Sequence, residues 1–255
     1  MDEKPSRTTS AGVPAWLKRW AGMHSLGPPP AYALYVWPFV GSFCSLAVLQ
    51  AVFGHSWYFI VRGSPALVTS YGASVVLCFD KIESPFAQPP ALVGGHFVSG
   101  LIGVIISKIL YGSSTLEDGA YPEYTWVAAS FATAFAILAM QLTRTTHPPA
   151  GATALLPILD RTTNKLSWYF LPILLLSSTL VLAIALLINN IQRRYPSFWF
   201  DPSRPTAPKK PAPAEMSRPA AEMPPQSSPK DAPQPSDVPD DLEAGLPRNG
   251  TVFKG

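Results

Sequence analysis

The chain has 255 residues, a formal net charge of +3 and a mean hydropathy of +0.17. So small a charge, with no basic patch interleaved with aromatics, argues against a nucleic-acid partner. Cys44 and Cys78 both lie in apolar stretches, with neither metal spacing nor a disulfide framework. They read as small buried hydrophobes, and no metal or cofactor is expected.

Residues 1–31 form a polar, Pro/Gly-rich arm. Its start, "MDEKPSRTTS", precedes no short apolar core with a small-residue cleavage site, so it is not read as a cleaved signal. Apolar runs then dominate residues 32–195. A membrane-crossing helix needs about 20 mostly apolar residues, and four stretches answer to that: residues 35–53, 92–111, 126–142 and 167–188. Each carries an aromatic at or near one end, as interfacial belts favour. Two shorter apolar pieces, 65–79 and 149–159, lie between them. From residue 196 onward the chain becomes a polar tail, with 13 prolines in the 55 residues from Asp201 to Gly255. Such a segment buries too little to offset its chain entropy and is expected to be disordered. The expected fold is an all-α membrane protein, a bundle of four long and two short or broken transmembrane helices.

The two short pieces resemble each other. "GASVVLCFDK" (72–81) and "GATALLPILDR" (151–161) both run Gly-Ala-hydroxyl, then apolar residues, then Asp and a basic residue, about 79 positions apart. The order long, short, long thus occurs twice. If each piece crosses, each unit makes three passes and the second unit is inverted. Short, Gly/Pro-interrupted segments at matching positions of two halves point to a transporter's binding site. Six passes also fit the charges. With the arm cytosolic, that side receives Lys18, Arg19, Lys81, Arg144, Arg193 and Arg194, against Arg62, Arg161 and Lys165 on the other. The tail is then cytosolic too.

The break at "RTTHPPAGAT", residues 144–153, carries the functional expectation. A residue before proline avoids the helical region, so His147 and Pro148 should be extended and a helix should begin at Pro149. The first turn of a helix has unpaired amides. Prolines supply none, so the free donors should fall on Ala150 and Gly151, with Arg144 and His147 alongside. A helix start of this kind attracts anions. In lipid, unpaired amides are tolerable only facing protein, water or a ligand. The candidate substrate-binding residues are therefore Arg144, His147, Pro148, Pro149, Ala150, Gly151 and Thr153. Ser70, Gly72 and Ser74 come from the matching place in the first unit, where Ser70 can cap the helix start. His96, after Gly94-Gly95, reads as a packed polar residue rather than a ligand. Gly100 and Gly103, with Ser99 and Ser107, suit close helix packing.

"THPPAGATAL", "SYGASVVLCF", "SPFAQPPALVGGHFVSGLIGV" and the terminal "LLINN" together resemble the HPP family of integral membrane proteins, over about residues 33–191. Plant chloroplast and cyanobacterial members of that family are known as nitrite transporters. The resemblance therefore implies a carrier of nitrite or a similar small anion. Members are described with four or five spans, so six passes is a departure. The leading expectation is a secondary transporter or channel for a small monovalent inorganic anion, working in a lipid bilayer. The alternative is a membrane-anchored interaction protein whose Pro-rich tail binds a proline-recognising domain. An enzyme is not expected, because no metal-spaced cluster or nucleophile–base pair occurs. The sequence leaves open whether the protein forms an oligomer.

Overall fold

The computed structural model describes residues 14–24, 26–111, 123–201 and 206. Among these, every regular element is a helix. Helix α1 is Ala15–Trp20, α2 Ala33–His55, α3 Trp57–Val61 and α4 Ser70–Phe79. A wide turn, Pro90–Gly94, leads into α5, Gly95–Tyr111; then follow α6 Thr125–Leu142, α7 Pro148–Leu159, α8 Arg161–Leu166 and α9 Phe170–Gln192. Four helical stretches are long and apolar enough to cross a bilayer: Ala33–His55, Pro90–Tyr111, Thr125–Leu142 and Arg161–Gln192. The two shorter apolar helices are Ser70–Phe79 and Pro148–Leu159. This is the expected set of four long and two short helices. The loop at 112–122 and the tail at 202–205 and 207–255 lie outside the described residues.

Hydrogen bonds between helix ends sort the chain into two layers. At one end Trp37 donates to Gln192 Oε1 (2.8 Å), Arg19 to the Ile191 carbonyl (2.9 Å) and Tyr195 to the Ala87 carbonyl (2.6 Å). At the other, the Arg62 guanidinium stacks 3.8 Å over the Tyr58 ring and faces the Tyr169 ring. There too Tyr111 donates to the Ile158 carbonyl (2.9 Å) and Asn164 to Ser107 (2.9 Å). The chain thus traverses the bundle six times, twice by short helices. Ten residues of α4 rise about 15 Å, half of a hydrocarbon layer about 30 Å thick. Non-helical residues 62–69 complete that traverse.

The packing obeys a two-fold exchange of units. Helix α2 packs on α4 and α9, while α6 packs on α7 and α5; α4 meets α9 and α7 meets α5. Exchanging α2, α4 and α5 with α6, α7 and α9 maps these pairs onto themselves. It also preserves the α4–α7 and α5–α9 contacts. The brief sequence echo therefore has a counterpart in three dimensions.

Side-chain size fixes how closely the helices approach. Leu49, Phe53, Tyr71, Phe79, Phe170 and Leu174 fill a large-residue core between α2, α4 and α9. Ala129, Ala132 and Ala136 recur at three- and four-residue steps on α6 and let it close on Ala154 and Ile158 of α7. Gly103 brings α5 against the Ala154 backbone, and a side chain there would meet the Ala154 Cα at 3.0 Å. Outward-facing apolar residues such as Phe39, Ile109 and Leu142 suit lipid contact. Cys78 is buried as expected, whereas Cys44 is only half-buried.

Candidate functional site: a histidine–hydroxyl seam between the short helices

The break begins where α6 stops. Arg144 adopts a left-handed φ of 57°, its amide donates to the Gln141 carbonyl (3.2 Å), and the Thr145 amide reaches the Met140 carbonyl (2.9 Å). This double bond is the Schellman stop, with arginine where glycine is usual. The Arg144 side chain is exposed. Three residues on, His147 is extended (φ −137°, ψ 102°) and fully buried.

Helix α7 starts at Pro148, one residue earlier than expected. Proline's fixed φ suits the first helical position, and Pro148 is helical although it too precedes a proline, whereas His147 stays extended. The first available amide, that of Ala150, donates back to the His147 carbonyl (2.9 Å). Gly151 stands inside the helix. Of the two donors expected to be free, that of Ala150 is therefore paired. The Ala150 carbonyl in turn accepts from Ser99 of α5.

The polar chemistry here lies in side chains. His147 Nδ1 is 2.7 Å from the Phe86 carbonyl, and its Nε2 is 2.9 Å from Ser74 Oγ of α4. The same Ser74 Oγ lies 2.8 Å from Nε2 of His96 on α5. His96 Nδ1 is 2.8 Å from Thr153 Oγ1 of α7, which is 2.8 Å from Ser70 Oγ. His96 stacks on Tyr71 with ring centroids 4.2 Å apart and meets His147 edge-on at 5.0 Å. The Tyr71 hydroxyl donates to the Leu174 carbonyl (2.8 Å) and lies 2.6 Å from Ser178 Oγ of α9. Ser70, Ser74, His96, His147 and Thr153 are all buried.

Glycine makes the seam possible. A side chain on Gly95 would come within 2.6 Å of His147 Cβ and 2.8 Å of the Thr145 carbonyl, so only glycine lets α5 present His96 this close to the break. Ser74 and Thr153, matching hydroxyls of the two units 79 residues apart, engage the two nitrogens of one imidazole. His96 thus stands between the repeats.

Four of the residues singled out from the sequence, His147, Thr153, Ser70 and Ser74, come together. Ser70 is the first residue of α4, and its hydroxyl goes to Thr153 instead of capping the helix. Pro148 and Pro149 hold the break. Arg144 lies on the rim, and side-chain positions at Gly72 and Gly151 point into space with nothing closer than Thr133 Cγ2 at 4.0 Å. His96, expected as a packed polar residue, is buried with both ring nitrogens engaged and stands at the centre of the seam. Its signal was an ionisable residue inside an apolar span, toward the start of Pro90–Tyr111, which by default marks function.

A second polar knot closes the end that carries the arm. Asn189 donates to the Cys78 carbonyl (2.9 Å) and Arg193 to the Phe79 carbonyl (2.6 Å) and to Asn189, satisfying the last turn of α4 with a buried cation. Burial brings the Arg193 guanidinium down to about 10, against the opposing pull of Asp80, so it remains a cation at neutral pH. Burial likewise pushes the neighbouring Tyr195 phenol up. Among the described residues no group of three or more His, Cys, Asp or Glu is arranged to hold a metal ion.

A family model described as "HPP, transmembrane region" matches residues 28–196. The chain belongs to the HPP transmembrane family. Two transmembrane proteins of Dictyostelium discoideum are each 31% identical to it, over 191 and 188 residues, or 72% of this chain in both cases. The chain covers 63% and 57% of those relatives' own lengths. No solved structure matches. The HPP match takes in both the histidine–hydroxyl seam and the Asn189–Arg193 knot, and the protein is an integral, multi-pass membrane protein. In this HPP chain the tripeptide that names the family supplies one end of the seam.

Proposed function

We propose that this HPP protein is a transporter or channel for a small monovalent anion, nitrite being the first substrate to test, and that the Arg144–Thr153 break binds it. The observation that carries this reading is the seam itself. Five buried polar side chains converge where two short helices meet inside an apolar bundle, at matching positions of two repeated units. Discontinuous helices at a repeat interface are where transporters bind substrate, and intramembrane ionisable groups are rare outside such paths.

With the Ala150 amide paired, recognition passes mainly to side chains. Arg144 offers a cation at the rim. Deeper in, His147 and the hydroxyls of Ser74, Thr153 and Ser70 offer donors that can turn toward an anion displacing one of their present partners. Nitrite uptake into liposomes containing the purified full chain tests this. Arg144→Gln and His147→Ala should each raise the half-saturating nitrite concentration about tenfold, equivalent to one charge-assisted contact of roughly 1.5 kcal/mol. Unchanged affinity in well-folded forms of both variants overturns the binding site and leaves the break as architecture.

A further inference from the structure

Counting protons along the seam gives it a direction. The Phe86 carbonyl can only accept, so His147 Nδ1 carries a hydrogen and donates to it over 2.7 Å. With the ring neutral, Nε2 is bare and needs a donor, and the group in reach is Ser74 Oγ at 2.9 Å. Ser74 has one proton, which the Ser70 carbonyl at 3.2 Å can take only if the closer His147 link is given up; with it on His147, His96 Nε2 must donate to Ser74. The neutral His96 then has a bare Nδ1, which takes the Thr153 proton, and Thr153 Oγ1 takes that of Ser70. Every donor points the same way: Ser70 to Thr153 to His96 to Ser74 to His147 to Phe86. This is the one assignment that satisfies all five links with both rings neutral.

We infer that this chain is a proton relay between mid-depth and the end bearing Arg144 and the arm, coupling proton movement to the anion path. The inference rests on the transport reading above for its coupled ion, but not for the relay. The step needs only water as co-reactant, giving a proton at Ser70 and taking one at the rim. A proton arriving at Ser70 Oγ displaces the hydroxyl proton to Thr153, whose own passes to His96 Nδ1. The Nε2 proton of His96 moves to Ser74, and that of Ser74 to His147 Nε2. His147 is then an imidazolium and releases its Nδ1 proton to water at the rim beside Phe86, a residue 40% exposed. One proton enters and one leaves; the hydroxyls rotate and the rings exchange tautomers to reset the chain.

Placement supports the path. Ser70, the first residue of α4, sits near mid-depth, and the six residues from His147 to Thr153 rise about 9 Å along α7. The titratable groups set against the rings are each other and Tyr71 from α4. Arg144 on the α6–α7 link, and Asp80 and Lys81 after α4, are exposed. Among the described residues no carboxylate hydrogen-bonds to either ring, so none traps the proton midway.

The test uses full-length protein in liposomes with an internal pH dye. A potassium–valinomycin voltage drives proton entry, and nitrite uptake is measured in the same vesicles, with protein-free vesicles as the blank for nitrous acid leakage. T153V keeps the shape and removes the hydroxyl that feeds His96, and should cut proton entry about a hundredfold, the scale of a lost proton-transfer partner. T153S restores the hydroxyl and should recover most of it. If T153V fails to fold, S74A cuts the chain between the rings and carries the same expectation. Nitrite uptake by wild-type protein with no proton entry overturns the relay and leaves the transport reading intact. Proton entry without nitrite uptake supports the relay and overturns the anion reading. T153V and T153S with equal proton entry overturn the relay.

Discussion

Replacing Gly103 by alanine isolates the contact on which the seam depends. In a helix interior, glycine to alanine is by itself stabilising, by about 0.5–1 kcal/mol. At Gly103 the added methyl meets the Ala154 carbonyl group and its Cα at 3.0 Å, all backbone of α7, which no rotamer change can move. Overpacking of this kind costs about 1–3 kcal/mol, and a backbone obstacle puts it at the upper end, so a net loss of about 2 kcal/mol is expected. Gly72→Ala is the matched control: it also lies within a helix, and a Cβ there meets nothing within 4 Å. It should gain up to about 1 kcal/mol. Detergent-solubilised proteins compared by thermal unfolding should therefore move in opposite directions. Because α7 must back away from α5, Gly103→Ala should also loosen the Ser99–Ala150 and His96–Thr153 bonds and lower transport more than Gly72→Ala does. Equal stability of the two variants, or a loss in Gly72→Ala matching that in Gly103→Ala, would refute the close-packing argument.

Arg144→Gly should leave stability unchanged or raise it by up to about 1 kcal/mol, since glycine suits the left-handed stop, while nitrite affinity falls as in Arg144→Gln; normal affinity would assign Arg144 to helix termination alone. Arg193→Met should cost about 1.5–3 kcal/mol in unfolding experiments, because the Phe79 carbonyl and Asn189 lose a charged partner; a change near zero would show that the knot does not hold α4. Cysteines at positions 62 and 165 should label from one face of sealed vesicles, and cysteines at 81 and 194 from the other. Labelling of all four from the same face is incompatible with six traverses. Deleting residues 201–255 should leave transport intact, and loss of uptake in the folded truncation would favour a role for the tail.

The long helices were legible because apolar composition over about 20 residues survives any detail of packing. The short helices were legible for a different reason. Gly72 to Asp80 and Gly151 to Asp160 carry the same order of small, hydroxyl, apolar and acidic residues, and in the second unit Asp160 caps α8 by accepting from the Thr163 amide (2.7 Å). Helix α7 starts one residue before the expected Pro149 because the preference of proline for a first helical position prevails at Pro148 over the restriction from the proline that follows it. The larger error concerned where the polar groups find partners. The Ala150 amide is closed locally by the His147 carbonyl, whereas tertiary structure supplies Ser99 to the Ala150 carbonyl and Phe86 to the His147 ring. Those partners lie 51 and 61 residues away in the chain, a separation that no local pattern encodes. The partners of His96 are hidden in the sequence for the same reason. Its neighbours in sequence are glycines and apolar residues, and its partners arrive from both repeats.

The energetics of the seam bear on why it exists. Side-chain hydrogen bonds between membrane helices average about 0.6 kcal/mol, because the separated helices also find partners. The four links joining Ser70, Thr153, His96, Ser74 and His147 therefore contribute roughly 2–3 kcal/mol together. A well-packed apolar replacement, such as the alanine contact between α6 and α7, can supply comparable cohesion without the risk attached to burying polar groups. Removing one member is far worse than never having had the set, since each unpaired neighbour then sits in a low-dielectric interior. A seam that adds little net stability and penalises partial loss makes poor sense as structural glue. It makes sense where donors must exchange partners, which a bound anion or a travelling proton requires and a static core does not.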